Sequence, residues 1–318
     1  MSAALRLTGR RLLQLPVMIL GITLLVFVVM SFSKVDPAIQ ALGEGASLEA
    51  RDAYREEHGL NDPLLVRYLG FLAGLLRLDL GTYSARKTPV AEAVGEALPV
   101  TLQLSFLGLV LAVVVSLVLG VLAAIYRDRW PDKLVRVLSV ASLATPSFWL
   151  AVLLIQAFTL NLGWLPAGGP LPDPSEDLGG YLARMALPAI SLAIPVSGSL
   201  TRVVRTAVVE ELDKDYVRTA IGAGLPRVVV VGRNVLRNAL ITPITVLGLR
   251  IGYLIGGAVV IEVIFALPGM GTLILNGVTN NEPNLVQGVT LTVALAFVIV
   301  NIVVDLLYVL VNPRIRTV

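Results

Sequence analysis

Five stretches of this sequence are apolar for long enough to cross a lipid bilayer, and that constrains the fold more than any motif does. A hydrocarbon core about 30 Å thick takes roughly 20 apolar residues at about 1.5 Å each. The stretches near Leu12–Phe32, Leu98–Tyr126, Leu134–Leu160, Leu240–Leu267 and Val286–Val311 meet that length. A sixth, Met185–Leu200, falls short and contains Pro188 and Pro195; it spans only if its helix runs on toward Val209. Of the 318 residues, 56% are apolar and 15% charged, so a water-soluble fold would have no interior large enough for the excess. Disorder is excluded by the same numbers, because disordered chains are polar and charged. The expected class is an all-α polytopic membrane protein with six transmembrane helices.

The first stretch follows Arg6, Arg10 and Arg11 and could pass for a secretory signal. It is longer than a usual signal core and Ser31-Phe32-Ser33 is a poor cleavage site, so it reads as a retained helix. Charge then orients the chain. Arg127–Arg136 holds four basic and two acidic residues, Arg202–Arg237 seven against four, and Arg314 and Arg316 close the chain. The alternate loops are acidic: ten against seven over Lys34–Glu96, three against one over Asp173–Arg184, and Glu282 alone. Basic loops stay inside, so both termini are expected in the cytoplasm, as an even number of crossings also requires. The basic residues form no continuous stripe, which argues against nucleic acid as a partner. The organisation expected is a tail and first helix over 1–33, an extracytoplasmic helical cap over 34–97, and a five-helix core over 98–318 with a cytoplasmic loop at about 202–240. Within the cap, Asn61-Asp62-Pro63 reads as a helix start, followed by apolar residues at helical spacing from Leu64 to Leu76.

Chemistry-bearing residues are few. There is no cysteine, His58 is the single histidine, and no nucleophile elbow, zinc-binding helix or phosphate-binding loop occurs, so no catalytic site or bound cofactor is expected. If ATP drives this protein, another chain must hydrolyse it. In the fifth apolar stretch Gly248, Gly252 and Gly256 recur every four residues, which lines one helix face with small groups for close packing. Arg250, Glu262 and Asp305 lie within apolar stretches, where each must face protein, water or an interface. Arg250 and Glu262 stand about 18 Å apart along one helix and cannot pair with each other.

The loop from Arg202 is the most informative segment. It reads Asp215-Tyr216-Val-Arg218-Thr219-Ala220-Ile-Gly-Ala-Gly224-Leu225-Pro226-Arg227, a charged run, a short small-residue helix and a glycine turn. Here the chain resembles the membrane permeases of bacterial ABC importers of the peptide/nickel branch, whose cytoplasmic signature is Glu-Ala-Ala, three residues, then Gly. Arg218-Thr219-Ala220 and Gly224 occupy those places, with Ala223 where that branch often has lysine. Further blocks resemble the family in order: Ala144–Trp149, Gly163–Pro166, Arg202 with Arg205, Glu262-Val-Ile-Phe265-Ala-Leu-Pro268-Gly269-Met-Gly271, and Glu282–Gly288. Arg10-Arg11-Leu-Leu and Leu60–Pro63 fit the longer-looped of the two permease types.

The resemblance implies a type I importer permease fold in the bacterial plasma (inner) membrane and a role in peptide transport. It implies a second homologous permease chain, two cytoplasmic ATPase subunits that bind the ATP and Mg, an extracytoplasmic solute-binding protein, and a di- or oligopeptide substrate. Asp215, Tyr216, Arg218, Thr219, Ala220, Gly224, Leu225 and Arg227 would form the coupling element that docks on the ATPase. Glu262, Phe265, Pro268, Gly269 and Gly271 would form an outer turn at the gate. A secondary transporter subunit and a non-transporting scaffold are the alternatives, with nickel or another small solute as a further alternative within the ABC reading.

Overall fold

A computed structural model describes residues 3–32, 36–43, 45–57, 59–77, 79–83 and 87–311, the side chains at 3–12, 14–15, 40–41 and 305–311 excepted. Helices dominate it: α1 Ala3–Ser31, α2 Pro37–Leu42, α3 Leu48–Glu57, α4 Leu64–Leu76, α5 Val90–Ile125, α6 Trp130–Ala144, α7 Ser147–Leu154, α8 Leu178–Leu212, α9 Asp215–Gly222, α10 Arg227–Val229, α11 Leu236–Ala239, α12 Ile241–Ile264, α13 Met270–Thr279 and α14 Pro283–Val311. Two π-helical segments, Ile155–Asn161 and Val230–Val235, continue α7 and α10. Among the described residues one antiparallel ribbon, β1 (Thr82–Tyr83) with β2 (Thr88–Pro89), is the only departure from helix and loop.

Among those residues α5, α8, α12 and the Pro283–Val304 part of α14 are long and apolar enough to cross a membrane. The described apolar part of α1, Pro16–Ser31, is shorter. The expected straight span over Leu134–Leu160 is broken: α6 and the α7 segment meet at 103°. Pro146 is the cause. Its ring disfavours helical backbone at the residue before it, and Thr145 is extended at φ −91°, ψ 115°. The pair counts as a fifth crossing only if both arms belong to one span.

The stretch that looks least complete in the sequence becomes the most buried long helix. α8 runs 35 residues straight through Pro188 and Pro195, and 78% of its apolar window is buried, against 22–33% for the other three. Buried neighbours re-satisfy what proline removes, so membrane helices tolerate it. Small residues let those neighbours approach: a methyl at Gly198 would collide with the Ser142 hydroxyl and lie 2.7 Å from the Ser139 carbonyl oxygen of α6.

The chain forms two compact units. One comprises 1–8, 102–267 and 300–318, the other 9–101 and 268–299. In the first, α6, α7, α11 and α12 pack around α8. In the second, Val90, Ala93, Val94 and Ala97 of α5 form a core with Met270, Leu285 and Val289. There α4 begins directly after Pro63, as its start signal predicts, and holds α1. The Tyr68 hydroxyl sits 3.0 Å from Thr23 Oγ1 and donates to the Leu20 carbonyl at 3.1 Å, while its ring lies 5.4 Å from that of Phe27.

Candidate functional site

The loop expected to couple to a partner is an ordered helix with a defined inner and outer face. In α9, Val217 is buried and Ala220 half-buried against Val204, Val208, Val230, Val235 and Ala239. Asp215, Tyr216, Arg218 and Thr219 point outward. Thr219 Oγ1 donates to the Asp215 carbonyl at 3.0 Å, and Arg218 lies 3.6 Å from the Asp215 carboxylate. Tyr216 is the staple: its hydroxyl donates to Glu211 Oε1 at 2.9 Å and accepts from Asn238 Nδ2 at 3.3 Å, tying the end of α8 to α11. Partial desolvation and the neighbouring Glu211 carboxylate raise its phenol above the usual value.

A Schellman turn ends α9. Leu225 N–H donates to the Ala220 carbonyl at 3.2 Å and Gly224 N–H to the Ile221 carbonyl at 3.0 Å. Gly224 sits at φ +82°, and a methyl added there would meet nothing within 4 Å. Glycine is required for its left-handed backbone and not for space within this chain. Ile221 at the end of α9 and Leu225, Val228 and Val229 beyond the turn are all solvent-exposed, Val228 at 84%, as is Arg227. Asp215 and Arg218 of the same segment are exposed as well. Ala220 is half-buried and packs against the chain's own cluster.

In the same unit an ionic anchor joins α6 to α8. Asp132, at the start of α6, is fully buried and accepts both prongs of Arg205 from α8, at 2.6 and 2.7 Å. It also accepts the Asp128 N–H at 2.9 Å and lies 3.4 Å from Arg136. Arg127 reaches Asp213, beyond the end of α8, at 3.0 Å. In the sequence Arg205 stands in a family-like block, while Asp132, Asp128, Arg136, Arg127 and Asp213 register only as loop charge; the signal available for Asp132 was a carboxylate following Trp130-Pro131 in a basic loop.

The expected outer turn is also capped. After α12, Leu267 N–H donates to the Glu262 carbonyl at 2.9 Å and Ala266 N–H to the Val263 carbonyl at 3.3 Å, with Ala266 at φ +49°. This is the same turn as at Gly224, made with an alanine where glycine is preferred. Glu262 and Phe265 are fully buried. Gly168 lies against the Phe265 backbone: a methyl there would collide with its carbonyl oxygen. In the other unit Pro268 is exposed, Gly269 and Gly271 are buried, and the Met270 N–H donates to Thr101 Oγ1 at 3.0 Å.

Of the glycine stripe, Gly248 stands against α14, with a methyl there 2.8 Å from Val304 Cγ1. Gly252 is half-buried, and Gly256 is exposed with open space around it, while neighbouring Gly257 packs on Leu192. Arg250 is half-buried. The side chain of Asp305 lies outside the described residues, as does His58. No group of His, Cys, Asp and Glu able to hold a metal ion occurs among the described residues.

Comparison with known proteins matches residues 116–317 to the family "Binding-protein-dependent transport system inner membrane component" and residues 4–105 to the N-terminal region of such membrane components. A protein of Brucella abortus named as a peptide transport system permease is 39% identical over 302 residues, covering 95% of this chain and 96% of that one. A protein of Escherichia coli named for D,D-dipeptide transport, DdpB, is 37% identical, covering 95% and 94%. The glutathione transport system permease protein GsiC of Salmonella typhimurium is 34% identical, covering 96% and 97%.

Proposed function

Because the chain belongs to the family of binding-protein-dependent transport system inner membrane components, and is a membrane permease subunit of an ABC importer, we propose that it forms half of a translocation path for short peptides. It is a polytopic α-helical protein of the bacterial inner membrane, and the family's members are non-catalytic, so the ATPase is another chain. Three relatives named for peptide, dipeptide and glutathione transport favour a peptide over nickel.

In this reading the chain crosses six times, by α1, α5, the bent α6–α7 pair, α8, α12 and α14, with both termini in the cytoplasm. Loop charge supports it, since basic loops alternate with acidic ones along those crossings. The partners are a second permease chain, two ATPase subunits carrying ATP and Mg, and an extracytoplasmic binding protein. Residues 1–33, 34–97 and 98–318 serve as first helix, outer cap and permease core.

The observation that carries the proposal is the ledge at α9, an amphipathic helix closed by Gly224 that leaves Ile221, Leu225, Val228 and Val229 uncovered. ATP-driven closure of the partner ATPases moves that ledge, and α8 and α11 receive the motion through Tyr216. Glu262, Phe265, Pro268, Gly269 and Gly271 shape the outer end of the path. The test is affinity capture of this chain in mild detergent with mass spectrometry of what accompanies it. A second permease and ATPase chains are expected; a clean, monodisperse chain under ATPase coexpression in several detergents refutes the assignment.

A further inference from the structure

The second unit contains a polar cavity of about 540 Å³, with an adjoining lobe of about 270 Å³. Its size lies in the range of small-ligand sites, roughly 300–1,000 Å³. Gln287, on the first turns of α14, lines both lobes while being only 4% exposed. Its amide has no hydrogen-bond partner among the described residues. Arg67 also lines both lobes; its guanidinium lies 5.8 Å from the Phe27 ring centroid and makes no ion pair among the described residues. Lys87 adds a second cation to the larger lobe, and Asp62 and Asp79 supply carboxylates there. Asp79 spends one oxygen on the Gly81 N–H at 2.8 Å.

We propose that this cavity binds a short zwitterionic peptide, the carboxylate facing Arg67, a peptide amide meeting Gln287, and the amino terminus facing the aspartates. A site for a simple anion or cation would be lined by one sign of charge. This one carries both signs and a Gln287 amide that faces the cavity, which together complement a zwitterion that contains a peptide bond. The inference deepens the peptide-import reading and rests on it for the solute's identity. It gives the permease a solute contact of its own, apart from the binding protein.

The test uses the purified complex containing this chain, in nanodiscs without the binding protein, and radiolabelled trialanine as probe. Saturable binding is expected, with N-acetyl-trialanine amide, which lacks both charges, binding at least tenfold more weakly. Gln287→Leu and Arg67→Gln should each weaken trialanine binding at least tenfold while eluting as the parent complex on size exclusion; if one does not assemble, the other decides. No saturable binding to the parent at millimolar probe, or binding that the assembled variants leave unchanged, overturns the proposal. ATP-driven uptake of trialanine into proteoliposomes with the binding protein separates the two readings. Uptake without cavity binding sinks the cavity and leaves peptide import; cavity binding without uptake sinks peptide import and leaves the cavity.

Discussion

Replacing Asp132 by Asn tests the ionic anchor between α6 and α8. The carboxylate is fully buried, takes two charge-assisted bonds from Arg205 at 2.6 and 2.7 Å, and has Arg136 at 3.4 Å. Removing one partner of such a pair strands the other, at about 3–5 kcal/mol. Asparagine keeps the volume and can still accept the Asp128 N–H and one Arg205 prong, so the low end, about 3 kcal/mol, is expected. For a chain of this length about 2 °C accompanies each kcal/mol, so the melting midpoint should fall by about 6 °C. The assay is the temperature at which half of the monodisperse detergent-solubilised peak is lost. Arg205→Met alone should cost a similar amount, because it leaves the carboxylate without its main partner. The double variant should cost less than the two singles together by at least about 1.5 kcal/mol, with Arg136 retaining the remainder for itself. Arg205→Lys should not rescue, since a lysine cannot supply the two-pronged fork. If Asp132→Asn melts within about 1 °C of the parent, or the two substitutions simply add, the anchor does not hold α6 to α8.

Three further outcomes follow from particular positions. Gly224→Asn should couple ATP hydrolysis to transport nearly as the parent does, whereas Gly224→Val should cost about 1–2 kcal/mol at φ +82° and lower transport-coupled ATPase activity; equal behaviour of the two would remove the left-handed backbone as the reason for glycine. Gly168→Ala should give little folded protein in fluorescence-detected size exclusion, because the Phe265 backbone cannot move aside as a side chain would; normal yield would contradict the packing of that loop. The Arg55 guanidinium holds the Asp36 carboxyl below the ordinary carboxylate value, so its contribution is complete above about pH 4 and lost as pH falls through the lowered folded value. Hydrogen exchange across α2 and α3, corrected for intrinsic rate, should be flat from pH 8 to 5 and rise only below; loosening near pH 6 would point to another group.

The long apolar helices and the α9 turn were legible in the sequence because each depends on local pattern. A run of apolar residues needs no partner to be recognised, and Gly224-Leu225-Pro226 announces a helix end by chemistry within a few residues. What was hidden depends on neighbours. Pro188 and Pro195 interrupt a window of hydropathy yet sit inside α8, because the surrounding helices bury it. Thr145-Pro146 carries no charge and leaves the hydropathy of its stretch intact, yet it turns the backbone by 103°. Asp132 meets Arg205 across 73 residues, and Ala220, three residues on from Val217, packs on the same cluster as it does. Gln287 looked like one polar residue in a family block until the cavity at its amide came into view.

The π-helical segment Val230–Val235 sets the phase of everything after the coupling turn. Val230, Val235 and Ala239 all sit in one buried cluster, at intervals of five and four residues. At 100° per residue an α-helix would swing Val235 about 140° away from Val230. The wider π turn absorbs that mismatch as a dislocation in the helix, so both valines meet the same neighbours. The dislocation therefore stores one extra residue between Pro226 and Leu240. Losing Gly232, Arg233 or Asn234 would let it anneal into plain α-helix with the two valines four residues and about 40° apart, so Ala239 and the entry to α12 would keep their seats; gaining a residue would instead rotate them away by about 100°.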